Sequence, residues 1–232
     1  MTRPTALAVV VPVRDEEALL PACLDSLADA VVALSETHPG LPARVFVVLD
    51  ACTDRSSEVV ASWRGVTAVV TRAGNVGVAR AAGVAAAADW AAGSGGGSLW
   101  VACTDGDSAV PRSWLGTQVE LAAAGHDLVI GTVRPRPGDL SAEDLERWRE
   151  RHSSVDGHVH VHGANLGFAW DAYESVGGFA PIVEHEDVEL VTAMRRAGLR
   201  WIASGRIEVT TSGRRAGRTP GGFAGYLEDM GA

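Results

Sequence analysis

The chain has 232 residues, of which 47% are hydrophobic and 21% are charged, so it can bury a sizeable core and lacks the composition of a disordered protein. Its formal net charge of −9 excludes a general attraction to nucleic acid or anionic lipid, and any anionic ligand needs a local positive site. Its three cysteines stand far apart, without a CxxC pair or a signal peptide, which favours free thiols and a cytoplasmic location.

The first half of the chain alternates between predicted strands and helices. Four apolar runs predict buried strands, at residues 6–13, 44–49, 66–70 and 99–103. Helical spacing of apolar residues predicts three helices, at residues 16–33, 56–63 and 76–92. This order predicts parallel strands joined by right-handed crossovers.

The second half of the chain is less regular. Its apolar patterns predict strands at residues 128–133, 158–162 and within 200–209. Further helices are predicted at residues 113–124, 141–151, 170–176 and 187–197. No apolar stretch approaches the roughly 20 residues that span a bilayer, which leaves peripheral membrane contact open. We expect a single domain, with a nucleotide-binding half at 1–108, an acceptor half at 109–211 and a flexible basic segment at 212–232.

Acidic residues follow three of the predicted parallel strands. Glu16 and Glu17 follow the first strand, Asp50 ends the second, and Asp105 and Asp107 follow the fourth. Ligands of open parallel sheets bind beyond the carboxyl ends of the strands, so these groups are expected to converge on one crevice. Helix capping is an alternative explanation for Glu16 and Glu17.

Asp105 and Asp107 form the pair that is hardest to explain as an ordinary acidic turn. Neighbouring carboxylates repel each other unless a cation or a proton offsets their charge. Mg²⁺ and Mn²⁺ prefer oxygen ligands and often take few of them from the protein, and Gly106 lets the backbone approach the ion and its phosphates. Asp50, at a strand tip, can accept a hydrogen bond from a base or a ribose hydroxyl.

Six short segments, in chain order, resemble the motifs of family 2 glycosyltransferases. They lie at residues 9–17, 49–56, 75–80, 105–107, 163–165 and 186–187. The resemblance implies a GT-A fold, with a mostly parallel nucleotide-binding sheet flanked by helices and a mixed acceptor-side second half. Two positions depart from the family pattern, since Asp15 replaces an asparagine and Leu49 replaces the first aspartate of a pair. The missing Q-x-x-R-W motif implies transfer of one sugar rather than polymerisation.

The same resemblance implies an inverting hexosyl transfer from a UDP-sugar or GDP-sugar to an acceptor hydroxyl, assisted by Mn²⁺ or Mg²⁺. It implies that Asp105 and Asp107 bind the metal and that Asp187 is the catalytic base. The implied donor site consists of Pro12, Glu16, Glu17, Asp50, Asn75, Gly77, Arg80, Asp105, Gly106, Asp107, Arg214 and Arg218. The implied acceptor site consists of His162, Gly163, Asn165 and Glu186. A small molecule, a lipid and a glycan all stay open as the acceptor, and the oligomeric state is not predicted.

Several of these residues have a plainer structural interpretation. Arg80 is either a ligand of phosphate or of an aspartate, or a surface residue of its helix. Asp187 and Glu186 also suit the start of a helix, where acidic side chains favour the helix dipole. The tail with Arg214, Arg215 and Arg218 is either a solvated end or a lid over the pyrophosphate.

His158, His160 and His162 alternate along the predicted strand 158–162. Alternation places the three imidazoles on one face of a strand. Residues two apart in a strand are separated by nearly 7 Å, a spacing at which three side chains do not easily bind one metal ion. We therefore expect His162 to face the acceptor and leave transition-metal binding by the three histidines as the alternative.

Three rival functions share parts of this pattern. A nucleotidyltransferase usually has a glycine-rich loop after the first strand, whereas residues 11–17 are acidic and contain no glycine. A non-catalytic sugar-nucleotide-binding protein does not need both Asp107 and Asp187. A retaining glycosyltransferase differs in the stereochemistry of its product.

Overall fold

The computed structural model describes residues 3–95, 97–152 and 154–214. In these residues seven strands form one sheet, in the order β3-β2-β1-β4-β6-β5-β7. The strands are β1 Ala6–Val13, β2 Ala43–Asp50, β3 Val66–Thr71, β4 Leu99–Cys103, β5 Leu128–Pro135, β6 Leu166–Ala169 and β7 Trp201–Thr211. Neighbouring strands are parallel, except that β6 runs antiparallel to both β4 and β5. The predicted mostly parallel sheet with a mixed second half is confirmed.

Helices cover both faces of this sheet. They are α1 Leu20–Thr37, α2 Ser56–Ser62, α3 Val76–Gly93, α4 Trp114–Ala123, α5 Ala142–Arg151, α6 Trp170–Ser175 and α7 Glu186–Arg196. None of the described helices combines the length and the apolar composition needed to cross a membrane.

The core consists of two layers that follow the two-residue period of the strands. Leu7, Val9 and Val11 of β1 pack on one face of the sheet with residues of α1 and α4. Ala8 and Val10 pack on the other face with residues of α3 and α7. Because both faces of β1 are buried, its continuous apolar sequence is explained by burial rather than by alternation.

The predicted helix start at residue 16 is wrong, since α1 begins at Leu20. Asp15 has a positive φ of 52°, so the chain turns here before the helix begins. The N–H groups of Glu16 and Glu17 then donate to the Ser56 hydroxyl at 2.9 Å and to the Asp54 carboxylate at 2.8 Å. These bonds tie the loop after β1 to the start of α2 and keep it open toward the ends of the strands.

The predicted strand at 158–162 is also wrong, and the short strand β6 was missed. Residues 158–162 form no strand, although their chain passes close to β5. One edge of β5 pairs with β6 at residues 128–130 and the other edge pairs with β7, whereas residues 158–162 form no strand pairing with β5. Instead the imidazole Nε2 of His158 lies 3.2 Å from the carbonyl oxygen of Ile130 in β5.

Candidate active site

A cavity of about 670 Å³ opens at the carboxyl ends of β1, β2 and β4. Its volume lies within the roughly 300–1,000 Å³ of typical ligand pockets. Its donor side is lined by residues that follow these strands, including Pro12, Glu16, Asp50, Asp105, Gly106 and Asp107. The expected convergence on one crevice is therefore confirmed for Glu16, Asp50, Asp105 and Asp107, whereas Glu17 does not line the cavity.

The opposite side of the cavity is formed by one residue and two segments, which we together call the acceptor wall. The acceptor wall consists of His152, residues 160–164 and residues 183–188. Asp187 lies in this wall and faces the same cavity as Asp107. The cavity thus brings the predicted base and the predicted metal ligands together from distant parts of the chain.

Asp50 is held by a dense set of hydrogen bonds at the donor side. Its carboxylate accepts from the Thr71 hydroxyl at 2.6 Å and from the N–H groups of Gly74 at 3.0 Å and Asn75 at 2.8 Å. Burial by itself raises the pKa of Asp50, but these bonds outweigh burial and lower it, so the carboxylate is ionised at neutral pH. Asn75 in turn caps α3 by accepting from the N–H of Val78 at 3.0 Å.

Arg80 is buried, so its interpretation as a surface helix residue is wrong. Its guanidinium lies 2.5 Å from Asp105 and also pairs with Glu186. The charges of Asp105 and Asp187 raise the pKa of Arg80 against the lowering effect of burial. A Cβ on Gly163 would lie 2.5 Å from the guanidinium, so glycine is needed for this close approach. Arg80 thereby joins the donor side of the cavity to the acceptor wall.

Asp107 lies among acidic groups and one cation. Burial and the charge of Asp105 raise the pKa of Asp107 to about 6, and the Arg214 guanidinium opposes this rise. Arg214 lies 3.1 Å from Asp107 and donates to both carboxylate oxygens of Glu16, at 2.7 and 2.9 Å. A positive group is thus held between two carboxylates at the position where a metal ion was predicted.

The carboxylates of Asp105 and Asp107 fit a hard divalent ion that takes its remaining ligands from phosphate and water. In the described part of the chain, only Asp15, Cys52 and Asp54 offer three ligand atoms within 4.8 Å of one another. One oxygen of Asp15 already accepts from the N–H groups of Thr53 and Asp54, at 2.6 and 3.2 Å. The Asp105 and Asp107 pair therefore supplies at most part of a coordination shell.

Asp187 is oriented by backbone N–H groups at the start of α7. Its Oδ2 accepts from the N–H of Gly163 at 2.6 Å, and its Oδ1 accepts from the N–H of Val188 at 2.8 Å. His185, just before α7, has a positive φ of 62°, which turns the chain into the helix. Gly163 therefore has a positioning contact with the candidate base that the sequence did not reveal.

A row of aromatic rings runs from Trp148 through the histidines of the acceptor wall. The rings of Trp148 and His152 are parallel with centroids 3.5 Å apart, and His160 lies 4.4 Å from His152. The spacings from His160 to His158 and to His162 are 6.3 and 6.2 Å, so the imidazoles follow one another as the alternation predicted. Burial lowers the pKa of His152 to about 4 and that of His162 to about 3, so both rings are neutral at pH 7.

Some predicted site residues do not line the cavity. Asn165 is buried in the core, where its side chain accepts from Trp114 at 2.8 Å and donates to the carbonyl of Thr132 at 2.7 Å. Gly77 packs against the carbonyls of residues 180 and 182, and Glu17 accepts from the N–H of Arg55 at 2.8 Å. Arg215 and Arg218 lie outside the described residues.

The structure adds cavity residues that the sequence analysis did not name. They include Arg14, Val133, His152, Val183, Glu184, His185 and Val188. Arg14 lies within the motif at 9–17, and Glu184 and His185 directly precede the motif at 186–187, so these three could have been included on that ground. Val133 carried no signal, because its contribution depends on how the strands and loops pack.

The sheet order and the cavity at the strand ends define a GT-A fold. Several solved structures share this fold. S. aureus TarS, residues 1–349, is 14% identical with a TM-score of 0.62, over 88% of this chain and 60% of that one. The mannosyltransferase PcManGT from Pyrobaculum calidifontis, in complex with GDP-Man and Mn²⁺, is 22% identical with a TM-score of 0.60, over 94% of this chain and 59% of that one.

A third solved structure is glucosyl-3-phosphoglycerate synthase from Mycobacterium tuberculosis, in complex with Mn²⁺, UDP and phosphoglyceric acid. It is 22% identical with a TM-score of 0.56, over 86% of this chain and 68% of that one. The chain thus spans about 60% of the first two proteins and about two thirds of the third. At these identities the likeness establishes the fold.

The family follows from the sequence itself. Residues 8–177 match the profile described as Glycosyl transferase family 2, and the chain belongs to this family. No curated protein sequence matches the chain significantly. The resemblance inferred from the six motifs is therefore confirmed at the level of family and fold.

Proposed function

We propose that this protein transfers a single hexose from a UDP-sugar or GDP-sugar to an acceptor hydroxyl, with inversion and with the help of Mn²⁺ or Mg²⁺. The observation that carries the proposal is that Asp50, Asp107 and Asp187 line one cavity of about 670 Å³. These carboxylates serve three different tasks in such a reaction. They read the nucleoside, hold the metal–diphosphate and take the acceptor proton. Family membership supports glycosyl transfer over the nucleotidyltransferase alternative.

The donor side supplies the groups for a nucleoside diphosphate. Asp50 stays ionised within its hydrogen bonds and faces the cavity, where it can accept from a base or ribose donor. Asp105 and Asp107 would hold the metal, which supplies Lewis-acid stabilisation of the charge on the departing diphosphate. Arg80 keeps Asp105 in place through its 2.5 Å ion pair.

Asp187 is proposed as the general base. An inverting transfer needs one carboxylate to take the proton of the attacking hydroxyl, and it needs no enzyme nucleophile. The N–H groups of Gly163 and Val188 orient the two Asp187 oxygens at 2.6 and 2.8 Å. Glu186 is the partner of Arg80, so its proposed role is to position the base-bearing turn rather than to contact the acceptor.

Arg214 is proposed to exchange its carboxylate partners for the donor diphosphate. Its guanidinium neutralises Glu16 and Asp107 when no donor is bound. A metal and a diphosphate bring their own charges to the same place, and the guanidinium can then pair with phosphate oxygens. Arg218 is kept as a further lid residue, and a cytoplasmic location is kept because the cysteines are unpaired.

The test combines donor binding with turnover. Thermal denaturation with UDP, GDP and their sugars, with and without Mn²⁺, should show a metal-dependent stabilisation by one nucleotide, on the order of 3 kcal/mol at a hundredfold excess over Kd. No shift with any nucleotide in the presence of metal would contradict the donor site.

The base is tested by Asp187→Asn. This variant should keep the nucleotide-dependent stabilisation and lose transfer by about 10²-fold or more, since general-base catalysis contributes about 10²–10⁴-fold. Glu189→Gln, an exposed acid in the same helix turn that does not line the cavity, should transfer at the normal rate. Donor binding without transfer in the unaltered protein would indicate a non-catalytic binding protein.

A further inference from the structure

The chemistry of the acceptor wall restricts the kind of acceptor that it can take. This wall contains three acidic side chains, Glu184, Glu186 and Asp187, and no arginine. The chain contains no lysine, so arginine and histidine are the only side chains that can offer a positive charge to an anion. A phosphate or carboxylate on the acceptor would therefore meet negative charge unless a cation from elsewhere reached it.

Two of the three arginines that line the cavity in the described residues are already paired with carboxylates, and the third lies on the donor side. Arg80 pairs with Asp105 and Glu186, and Arg214 pairs with Glu16 and Asp107. Arg14 lies on the donor side, where its guanidinium is 3.6 Å from a Cβ built on Gly74. None of these arginines faces the acceptor wall as an unengaged cation.

Two histidines of the acceptor wall, His152 and His162, do not replace that missing cation. His162 is packed into a column with His160 and His152, and burial keeps the pKa of His152 and His162 well below neutrality. At pH 7 these two rings are uncharged, so they present no positive charge to an anionic acceptor.

The remaining surface of the acceptor wall is apolar. Val161, Ala164, Val183 and Val188 line it, and Val133 adjoins it. Val183 and Val188 are 55% and 40% exposed, so apolar surface continues to the mouth of the cavity. Among the described residues, the wall includes no serine, threonine, asparagine or glutamine side chain, so its carboxylates and imidazoles are the only side chains in it that can bind acceptor hydroxyls.

From these observations we infer that the acceptor is an uncharged alcohol with an apolar body, rather than a phosphorylated, carboxylated or sugar acceptor. The inference rests on the proposed function, because it concerns the acceptor of the same reaction. The hydroxyl reaches Asp187, and the apolar body lies along the valines and the neutral histidine rings. This chemistry differs from that of the phosphoglyceric acid bound in the mycobacterial synthase.

The test uses three acceptors that isolate charge and polarity. They are 1,8-octanediol, 8-hydroxyoctanoate, which has the same chain length with a carboxylate at its far end, and methyl α-glucoside. Binding is measured by saturation-transfer NMR with Mg²⁺ and UDP present, and transfer is measured with the donor that stabilises the protein. We expect the diol to bind and react on the order of tenfold better than either of the others.

A substitution in the acceptor wall tests whether the wall causes the preference for the diol over 8-hydroxyoctanoate. Val188→Arg places a cation in the wall and should reduce the advantage of the diol over 8-hydroxyoctanoate by on the order of tenfold. Val32→Arg is the matched control, because Val32 is 50% exposed on α1 and does not line the cavity. The control should keep the original preference.

The outcomes separate this inference from the proposed function. Equal or better binding of 8-hydroxyoctanoate or of the glucoside in the unaltered protein overturns the inference, even if the donor binds and transfer occurs. Failure of every nucleotide to bind with metal overturns the proposed function, and the inferred acceptor role falls with it. A preference that Val188→Arg leaves unchanged also overturns the inference, because it removes the acceptor wall as its cause.

Discussion

At the level of single residues, the cavity is built around carboxylates that are partly removed from water. Asp50 is stabilised as an anion by three donors, whereas Asp107 has fewer hydrogen bonds and a raised pKa. The difference follows from the partners, because hydrogen bonds to the ionised form lower a pKa while burial and like charges raise it. A bound cation should therefore stabilise the ionised form of Asp107 more than that of Asp50.

The raised pKa of Asp107 predicts a pH dependence of folding stability. The folded protein holds this proton up to about pH 6, whereas the unfolded chain releases it near pH 3.8. Asp107 therefore stabilises the fold most below pH 3.8, and this stabilisation is lost as the pH rises through 6. Relative to Asp107→Asn, the unaltered protein should gain on the order of 3 kcal/mol between pH 7 and pH 4, at about 1.4 kcal/mol per pKa unit.

The measurement is urea unfolding of both proteins in EDTA across this pH range. Taking the difference between the two removes the contribution of other titrating groups, including the buried histidines. A flat difference would show that Asp107 is ionised without hindrance in the folded protein. In the presence of Mn²⁺, the Asp107→Asn variant should also lose the metal-dependent stabilisation by nucleotide, because it lacks a proposed metal ligand.

At the level of elements, α3 packs closely against the sheet at Gly83. The helix is rich in alanine around this position, and Gly83 faces β1 and β2. A Cβ on Gly83 would lie 2.5 Å from a methyl group of Val10 and 2.7 Å from one of Val48. The close packing matters for the site because α3 also carries Arg80 into the cavity.

Gly83→Ala is therefore expected to destabilise the protein despite the better helix propensity of alanine. Overpacking costs about 1–3 kcal/mol, and the propensity gain returns about 1 kcal/mol. The net loss in unfolding free energy should be up to about 2 kcal/mol, measured by urea denaturation. Gly93→Ala, at the end of the same helix with open space around its Cβ, should cause no loss. Equal stability of the two variants would mean that α3 can shift away from the sheet.

At the level of the whole molecule, ion pairs connect distant parts of the chain across the cavity. Arg80 and Glu186 are 106 residues apart, and Arg214 and Glu16 are 198 residues apart. Both pairs join the first half of the chain to the second. The cavity is therefore assembled by the complete sheet and by the segment that follows β7.

The pairing of Arg214 predicts competition with the metal ion. In Arg214→Gln the carboxylates of Glu16 and Asp107 lose their internal cation, so Mn²⁺ alone should bind about two- to fivefold more tightly, the scale of a partly exposed ion pair. UDP or GDP in the presence of Mn²⁺ should bind more weakly, because the diphosphate loses a cationic partner. Isothermal titration calorimetry measures both affinities.

Arg206→Gln is the control for this prediction. Arg206 lies in β7, near Arg214 in sequence, and forms an exposed pair with Glu120 at 2.6 Å, but it does not line the cavity. The affinities of the Arg206→Gln protein for Mn²⁺ and for nucleotide should be the same as those of the unaltered protein. Weaker binding of Mn²⁺ alone to Arg214→Gln would contradict the idea that the guanidinium occupies the cation position.

The amino-acid sequence alone was enough to predict the parallel first half of the sheet, the family and the convergence of most of the acidic groups. Continuous apolar runs in the sequence predict buried strands, and parallel topology then places the carboxyl ends of these strands at one edge of the sheet. The capping of α5 was equally local, with Ser141 accepting from the N–H of Asp144 at 3.1 Å. Each of these features depends on residues that are close in sequence or on a rule of topology.

Tertiary contacts set the partners of these residues and the roles that depend on them. Residues 158–162 lie beside β5 without forming the predicted strand, and Asn165 is turned inward to the core. Arg80, Gly163 and Arg214 acquired their functions from residues roughly 25 to 200 positions away. Such contacts carry no local signal, because hydrogen bonds and close packing act between neighbours in space whatever their distance along the chain.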